Sequence, residues 1–371
     1  MATLTAELDT RPVVVTGAKA TDLMKSGPTL YVNFGRPLTT LADVREALQL
    51  AIELEHATLP PYLTALYSLD EAKNPEIAAI MTGIAMQEME HFCRAGNILV
   101  AIGGKPAMAN EEFIPSYPGG LPKHIGSSPS DPDFIVHLRK FSMDQVKNCF
   151  MKIEEPEYPI DIQSERMLAT ADTTIKPAYR TIGEFYEDIK ATLTELGDGI
   201  FNHTSEGQVF GLLGLAPVMG LEDAKAQIDT IIIEGEGSRT SPTEGPSGQM
   251  AHYYSYYEIY KGRKIAKEGD EWYFTDEVIP FDPTGVQDLI DDPHQDSYPA
   301  GSTAAYECAT FNTYYSNLLI ALDQSFNGQP DRIGNAIGLM FDIKLQAKKL
   351  MSIPMPGQPG KFASPSWQFT R

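Results

Sequence analysis

The chain has 371 residues, 42% of them hydrophobic, a formal net charge of −21 at pH 7 and three well-separated cysteines. Such a chain can bury a large core without a disulfide framework. Its negative charge argues against binding to nucleic acid or to anionic membranes, which attract clustered lysine and arginine. The first residues lack the pattern of a secretory signal, and no apolar run reaches the ~18 residues of a bilayer span, so we expect a cytoplasmic protein.

Helix signals begin after residues 1–38, which are expected to form an N-terminal extension. Thr40 and Asp43 have the spacing of a capping box and predict the start of a first helix. The adjacent Pro60 and Pro61 are expected to kink or break that helix, because proline lacks the amide hydrogen that continues it. The first helix nevertheless carries a regular apolar stripe, which is typical of a bundle helix.

A second helix is predicted from Asn74, with Pro75 in its first turn, to the glycines at 103–104. It should form an antiparallel hairpin with the first. Further elements are predicted at 134–152, 181–197, 247–261, 303–326 and 331–352 (helices) and 272–274 (strand). We expect an all-α protein, with a four-helix bundle over 39–262 and helices in 263–371 that pack on it as one compact unit. Long loops at 103–135 and 205–247 are typical of a substrate cavity or lid.

Polar residues interrupt the apolar stripes of the first two helices. Glu55 lies on the stripe of the first helix, while Glu88 and His91 lie on that of the second. A carboxylate on a core face is costly unless it is paired or bound to a metal. Glu88 and His91 form an ExxH element, whose i, i+3 spacing places both side chains on one helix face. Within a four-helix bundle this pattern is typical of a di-iron carboxylate site.

The second half of the predicted bundle is less regular. Glu184 and Glu187 are candidate ligands on the third helix, although Glu184 could instead complete a capping box with Thr181. The fourth helix is expected to offer Gln249 and His252, where a symmetric site would carry a second ExxH. Because glutamine is a neutral and poorer ligand, a mononuclear site and an asymmetric two-metal site both stay open. Carboxylate and imidazole ligands favour one or two iron ions, with manganese or zinc as alternatives.

Two tyrosines, Tyr62 and Tyr256, are candidate catalytic residues because each lies one or two turns from an expected ligand on the same helix face. Buried tyrosines more often serve only in packing. The chain contains no GxSxG element, no phosphate-binding loop and no dinucleotide-binding fingerprint, so other common enzyme chemistries have no motif to support them.

Several blocks of the sequence resemble the ferritin-like family, and more narrowly the iminophenylpyruvate dimer synthase type domain of violacein and related bisindole pathways. The blocks are AIELEHATLPPYLTALYSL (51–69), AMQEMEHFCRAGNIL (85–99), TIGEFYEDI (181–189), IIIEGEG (231–237), HYYSYYEIYKGRK (252–264), YPAGS (298–302), FNTYYSNLLIALDQSFNG (311–328) and AIGLMFDIKLQAKKLMSIPMPG (336–357). The resemblance spans about residues 35–370. It implies a ferritin-like bundle with added helices and oxidative chemistry in specialised metabolism. It also implies ligand roles for Glu55, Glu88, His91, His252 and either Glu184 or Glu187.

Three functions are compatible with these observations. The first is an oxidoreductase that uses dioxygen or peroxide to oxidise a small amino-acid-derived or aromatic substrate. The second is an iron-binding or iron-oxidising protein without an organic substrate, and the third is a metal-free scaffold that binds a ligand. Homo-oligomers are compatible with each of them.

Overall fold

The computed structural model describes residues 38–125, 134–157, 159–160, 162, 179, 181–211, 214–238, 240–244 and 248–370. Most of them are helical. The helices are α1 (Leu41–Ser68), α2 (Pro75–Ala101), α3 (143–153), α4 (Ile182–Leu196), α5 (Leu221–Glu236), α6 (His252–Lys261), α7 (Thr303–Phe326) and α8 (Ile333–Met351). The strands β1 (Arg263–Glu268) and β2 (Glu271–Val278) form an antiparallel hairpin, which includes the predicted strand. The predicted helical fold is therefore confirmed, with one small sheet added.

A four-helix bundle forms the centre of the molecule. α1 packs along α2 and α4 packs along α5, and the two pairs close the bundle through contacts of α1 with α4 and of α2 with α5. The inward faces of α1 and α2 are almost continuously apolar, as the stripes predict. The polar side chains on these faces are therefore enclosed by hydrophobic packing.

The first helix, expected to kink or break at its two prolines, is not broken there. α1 is one helix of 28 residues with Pro60 and Pro61 inside it. Proline at position 61 leaves the carbonyl of Ala57 without its helical donor. The hydroxyl of Tyr117 donates to that carbonyl at 2.7 Å and so replaces the lost hydrogen bond. At the other end of α1, the predicted capping box of Thr40 with Asp43 is present.

The fourth helix of the bundle is not the one that the sequence analysis predicted. α5 occupies that place, inside the segment that was expected to be a loop, whereas α6 begins only at His252. The sequence does contain a helical pattern for α5, because Ala224, Ile228 and Ile231 are buried at helical spacing and Gly237 ends the helix at a φ of 76°. α6 packs instead against α3 and the end of α5.

α3 packs against α6 and is not a regular α-helix. Single α-helical turns, Met143–Gln145 and Met151–Ile153, flank a π-helical segment, Val146–Phe150. Such insertions are frequent at functional sites because they shift the residues that follow. Here the helix ends at Glu154, whose side chain points into the bundle and is 5% exposed.

The C-terminal helices pack on the outside of the bundle. α7 and α8 form a hairpin, from which the Tyr315 hydroxyl contacts the His56 imidazole at 2.7 Å. The indole of Trp367 donates to the Thr64 hydroxyl at 2.8 Å and ties the C-terminal segment to α1. Among the described residues, no helix combines the length and the apolar character that crossing a bilayer requires.

Candidate metal centre

Glu88, His91 and His252 meet inside the bundle. A carboxylate oxygen of the glutamate and one ring nitrogen of each histidine all lie within 4.8 Å of one another. The three residues are at most 2% exposed. The imidazole rings are stacked, with their centroids 5.4 Å apart. Three convergent, buried donors of these types are a recognisable basis for a transition-metal site.

Glu88 and His252 form the closest pair. Oε1 of Glu88 lies 2.7 Å from Nδ1 of His252, and its Oε2 accepts a hydrogen bond from the Thr58 hydroxyl at 3.0 Å. Nδ1 of His252 is also 3.6 Å from Oε2 of Glu154. Despite these short separations, Nδ1 of His252 makes no hydrogen bond of acceptable geometry with any described residue. It is a buried nitrogen that faces carboxylates without bonding to them.

His91 is held from the opposite side. Its Nε2 is 2.8 Å from Oε2 of Glu234 on α5, and its Nδ1 is 3.7 Å from Oε2 of Glu55 on α1. An ionised carboxylate can accept hydrogen bonds but cannot donate them. If the His91 ring is neutral, its contact with Glu234 therefore places the ring proton on Nε2. In a neutral ring that binds a metal, Nδ1 would then present its lone pair to the cluster. Histidine ligands commonly have this arrangement, with the outer nitrogen bonded to a carboxylate.

Two tyrosines bond to the remaining inward carboxylates. The hydroxyl of Tyr186 donates to Oε1 of Glu55 at 2.5 Å, and that of Tyr62 donates to Oε1 of Glu154 at 2.5 Å. Each carboxylate keeps its other oxygen on the side of the histidines. The tyrosines therefore orient the carboxylates without closing the space between them.

A small cavity lies between these groups. Its volume is about 20 Å³, enough for about one water molecule or one ion. Its polar walls are Glu55, Glu88, His91, Glu154, Tyr186 and Glu236, and its apolar walls include Ile153, Ile182, Ile231 and Ile232. In this conformation the site is too small for an aromatic molecule.

The pKa values of Glu88, His91 and His252 are all raised, so each of these side chains tends to retain a proton. Burial, together with the nearby Glu154 carboxylate, raises the pKa of Glu88 to about 7. Burial lowers the pKa of His91, but Glu234 and Glu55 outweigh burial and raise it to about 9. For His252 the carboxylates of Glu154 and Glu88 likewise outweigh burial, and its pKa lies well above the ordinary value. The same electrostatic field that retains protons here would stabilise a bound cation.

The donor set fits a metal ion. Four carboxylates and the imidazole of His91 line one buried cavity, and His252 forms a cluster with Glu88 and His91 beside it. The inward nitrogen of His252 makes no hydrogen bond of acceptable geometry among the described residues. Because Nδ1 of His252 faces carboxylate oxygens, this arrangement requires positive charge, which a proton on the ring supplies in metal-free protein and which a bound cation could replace. Glu55, Glu88, His91, Glu154 and His252 are the residues that would hold such a cation.

Some predicted ligands lie elsewhere. Glu187 is exposed and forms an ion pair with Lys190 at 2.7 Å. Glu184 lies in the first turn of α4, where its amide donates to the Thr181 hydroxyl. Gln249 is exposed and precedes α6, so its predicted position on a fourth bundle helix was wrong. The structure does not bring these three side chains into the cluster.

The candidate catalytic tyrosines both lie beside the centre. Tyr62 reaches it through Glu154, as described above. Tyr256 is fully buried with its ring centroid 5.3 Å from that of Tyr62, and its hydroxyl has no partner among the described residues. A buried hydroxyl without a partner has a hydrogen bond available for another group.

Sequence reasoning missed three carboxylates in or beside the centre, Glu154, Glu234 and Glu236. For Glu154 there was no local signal, since it follows an irregular helix in a segment rich in proline and glutamate. For Glu234 the signal existed, because it follows the apolar run Ile231–Ile233 at the end of a helical pattern closed by Gly237. Treating that run as part of a loop concealed it.

Comparisons with known proteins agree with this architecture. A family model described as ferritin-like matches residues 48–261, more than half of the chain. The crystal structure of a ferritin-like protein from Caulobacter vibrioides superimposes with a TM-score of 0.55 at 23% identity, over 84% of this chain and 98% of that one. The chain is also 23% identical to dichlorochromopyrrolate synthase of Lentzea aerocolonigenes over 395 aligned positions, which cover 91% of this chain. This chain spans 37% of the length of that relative.

Proposed function

The chain belongs to the ferritin-like family, and from that premise we propose that it is a metal-dependent oxidoreductase of specialised metabolism. The proposed substrate is a small amino-acid-derived or aromatic molecule, and the proposed oxidant is dioxygen or peroxide. The observation that carries the proposal is the buried cluster of Glu88, His91 and His252, beside a cavity that further carboxylates line. The similarity to dichlorochromopyrrolate synthase supports a role in the synthesis of a small molecule.

The ligand chemistry favours iron. Carboxylate oxygens combined with imidazole nitrogens suit iron and manganese, and zinc also binds such sets. When bound, iron would supply the redox chemistry that no side chain in the site provides. The carboxylates outnumber the histidines, so the site can hold one divalent ion and has donors for a second.

The chain's own residues would control protons and access. Tyr62 donates a hydrogen bond to Glu154, and Tyr256 beside it has a free hydroxyl that can hydrogen-bond a bound molecule. Glu236 lines the cavity, and burial raises its pKa to about 8. The apolar wall formed by Ile182 and Ile232 is half-buried, and substrate would enter there if those side chains move.

The direct test is metal content combined with oxidant consumption. Untagged protein purified without chelator should contain one to two equivalents of iron or manganese by elemental mass spectrometry. His91→Ala should lose most of that metal, whereas Glu187→Gln, which changes a surface glutamate, should retain it. Wild type should then consume dioxygen with a subset of amines and keto acids. Unchanged metal content and turnover in His91→Ala would refute the proposal.

The size of the cavity supports a second candidate, a metal-binding protein without an organic substrate. A space of about 20 Å³ admits an ion or a water molecule, but no organic substrate without movement of its walls. This function requires iron binding and ferrous oxidation with no acceleration by any organic compound. Substrate-dependent dioxygen consumption separates the two functions.

A further inference from the structure

A side-chain pair outside the candidate metal centre contacts the outer nitrogen of His252. Oε1 of Gln87 lies 3.2 Å from Nε2 of His252, and Nε2 of Gln87 donates to Oε1 of Glu244 at 2.9 Å. Gln87 immediately precedes Glu88 on α2. Glu244 lies in the loop between α5 and α6. These three residues form a chain of hydrogen bonds that ends at a proposed ligand.

The direction of this chain follows from the donor capacities of its members. An ionised carboxylate only accepts, so Glu244 must face the NH₂ of the Gln87 amide. The amide oxygen of Gln87 then faces His252, and because that oxygen also only accepts, Nε2 of His252 must carry a hydrogen. In a neutral ring the lone pair is then on Nδ1, the nitrogen that lies 2.7 Å from Glu88.

We propose that Gln87 and Glu244 are positioning residues that fix the tautomer of His252 with its Nδ1 lone pair toward the metal. This inference rests on the proposed metal centre and extends it. His91 has its outer nitrogen bonded to a carboxylate directly. The ring of His252 is held in a comparable way, but here the Gln87 amide lies between the outer nitrogen and the Glu244 carboxylate.

The loop that carries Glu244 also positions His252. The amide of Glu244 donates to the carbonyl of Gln249 at 2.8 Å, and the amide of Ala251 donates to the carbonyl of Pro242 at 2.8 Å. Ala251 is the residue before His252, where α6 begins. The same backbone contacts therefore hold both ends of the hydrogen-bond chain in register.

Two substitutions test the direction of the chain. In Glu244→Gln a neutral amide replaces the obligate acceptor, so Gln87 can rotate and present its NH₂ to His252, which favours the wrong tautomer. In Gln87→Leu the amide is removed and Nε2 of His252 loses its acceptor. Outer partners of metal-binding histidines typically contribute 10–100-fold to metal affinity, and we expect losses of about that size for zinc. Glu187→Gln, the matched surface control, should bind zinc as wild type does.

The affinity is measured with Zn²⁺ alone, by competition with a chromophoric chelator, after circular dichroism has shown equal helix content. A second measurement uses zinc-loaded protein with ¹⁵N-labelled histidine. A slowly exchanging imidazole N–H signal from His252 is expected in wild type and in Glu187→Gln, and its loss or fast exchange is expected in Gln87→Leu. Wild-type affinity and an unchanged signal in both test variants would overturn this inference alone. Absence of zinc, iron and manganese binding in wild type would instead overturn the metal centre, and the inference with it.

Discussion

Replacing Glu88 with glutamine tests whether Glu88 is a metal ligand or a carboxylate needed only for stability. In metal-free protein the buried Glu88 carboxylate, 2% exposed, accepts a hydrogen bond from the Thr58 hydroxyl and lies 2.7 Å from Nδ1 of His252. Removing one member of a buried ion pair usually destabilises a protein, but burial and Glu154 raise the pKa of Glu88 and so favour the neutral acid that glutamine resembles. Because Glu154 also remains near His252, we expect Glu88→Gln to lower the free energy of unfolding in chelator at pH 6 by no more than about 1 kcal/mol.

Metal binding should respond much more strongly. Loss of one of three convergent ligands should weaken binding at least ~100-fold, which corresponds to about 2.8 kcal/mol. Wild type with metal at about 100 times its dissociation constant gains about 2.7 kcal/mol of stability. For a chain of 371 residues the entropy of unfolding is about 0.8 kcal/mol/K, so that gain raises the melting temperature by about 3–4 °C. Glu88→Gln at the same metal concentration should show almost no rise by differential scanning calorimetry.

Glu258→Gln is the matched control. Glu258 is also buried, at 4% exposed, but it accepts hydrogen bonds from the Ile265 amide at 2.6 Å and from Lys264 at 3.4 Å, outside the centre. Its exchange should cost about 1 kcal/mol in chelator and leave the metal-induced rise intact. The reasoning is refuted if Glu88→Gln loses more than about 2 kcal/mol without metal yet keeps the wild-type rise.

Three further outcomes are expected. Gly183→Ala should lower the free energy of unfolding by about 1–3 kcal/mol, because the added Cβ would lie 2.6 Å from the Glu236 carboxylate. Urea titration measures this loss, and an unchanged midpoint would contradict the close packing. Tyr186→Phe removes the 2.5 Å hydrogen bond to Glu55 and should weaken metal binding about tenfold. A metal affinity equal to that of wild type would show that this hydrogen bond does not orient Glu55. The three free cysteines are all buried, and burial raises the pKa of each thiol. A thiol reagent at pH 8 should therefore label none of them in the native protein and all three in guanidinium. Rapid labelling of the native protein would contradict their burial.

Local rules predicted much of α1 and α2 and three residues of the candidate centre. Helical spacing places Glu88 and His91 on one face of α2 wherever that helix lies, and the stripe of α1 places Glu55 inward. The capping box at Thr40 and the glycine at the end of α4 also mark helix ends by local geometry. These features depend on contacts within about four residues, so the sequence alone is sufficient for them.

The rest of the centre depends on contacts between distant segments. The prolines of α1 are tolerated because Tyr117 supplies a hydrogen bond from 60 residues away. Glu154 enters the centre because a π-helical segment of α3 directs it there. Neither contact has a periodic signature along the chain.

The amino-acid sequence by itself determined the helical fold, the ExxH pair and the inward glutamate of α1, since each follows from helix periodicity and burial. Only the tertiary structure decided that α5 completes the bundle, that Glu154 and Glu234 join the centre, and that Gln249 lies outside it. The physical reason is that a metal-type cluster is assembled by the paths of loops between helices. The free energies of those long-range contacts are spread over many residues and leave no local pattern.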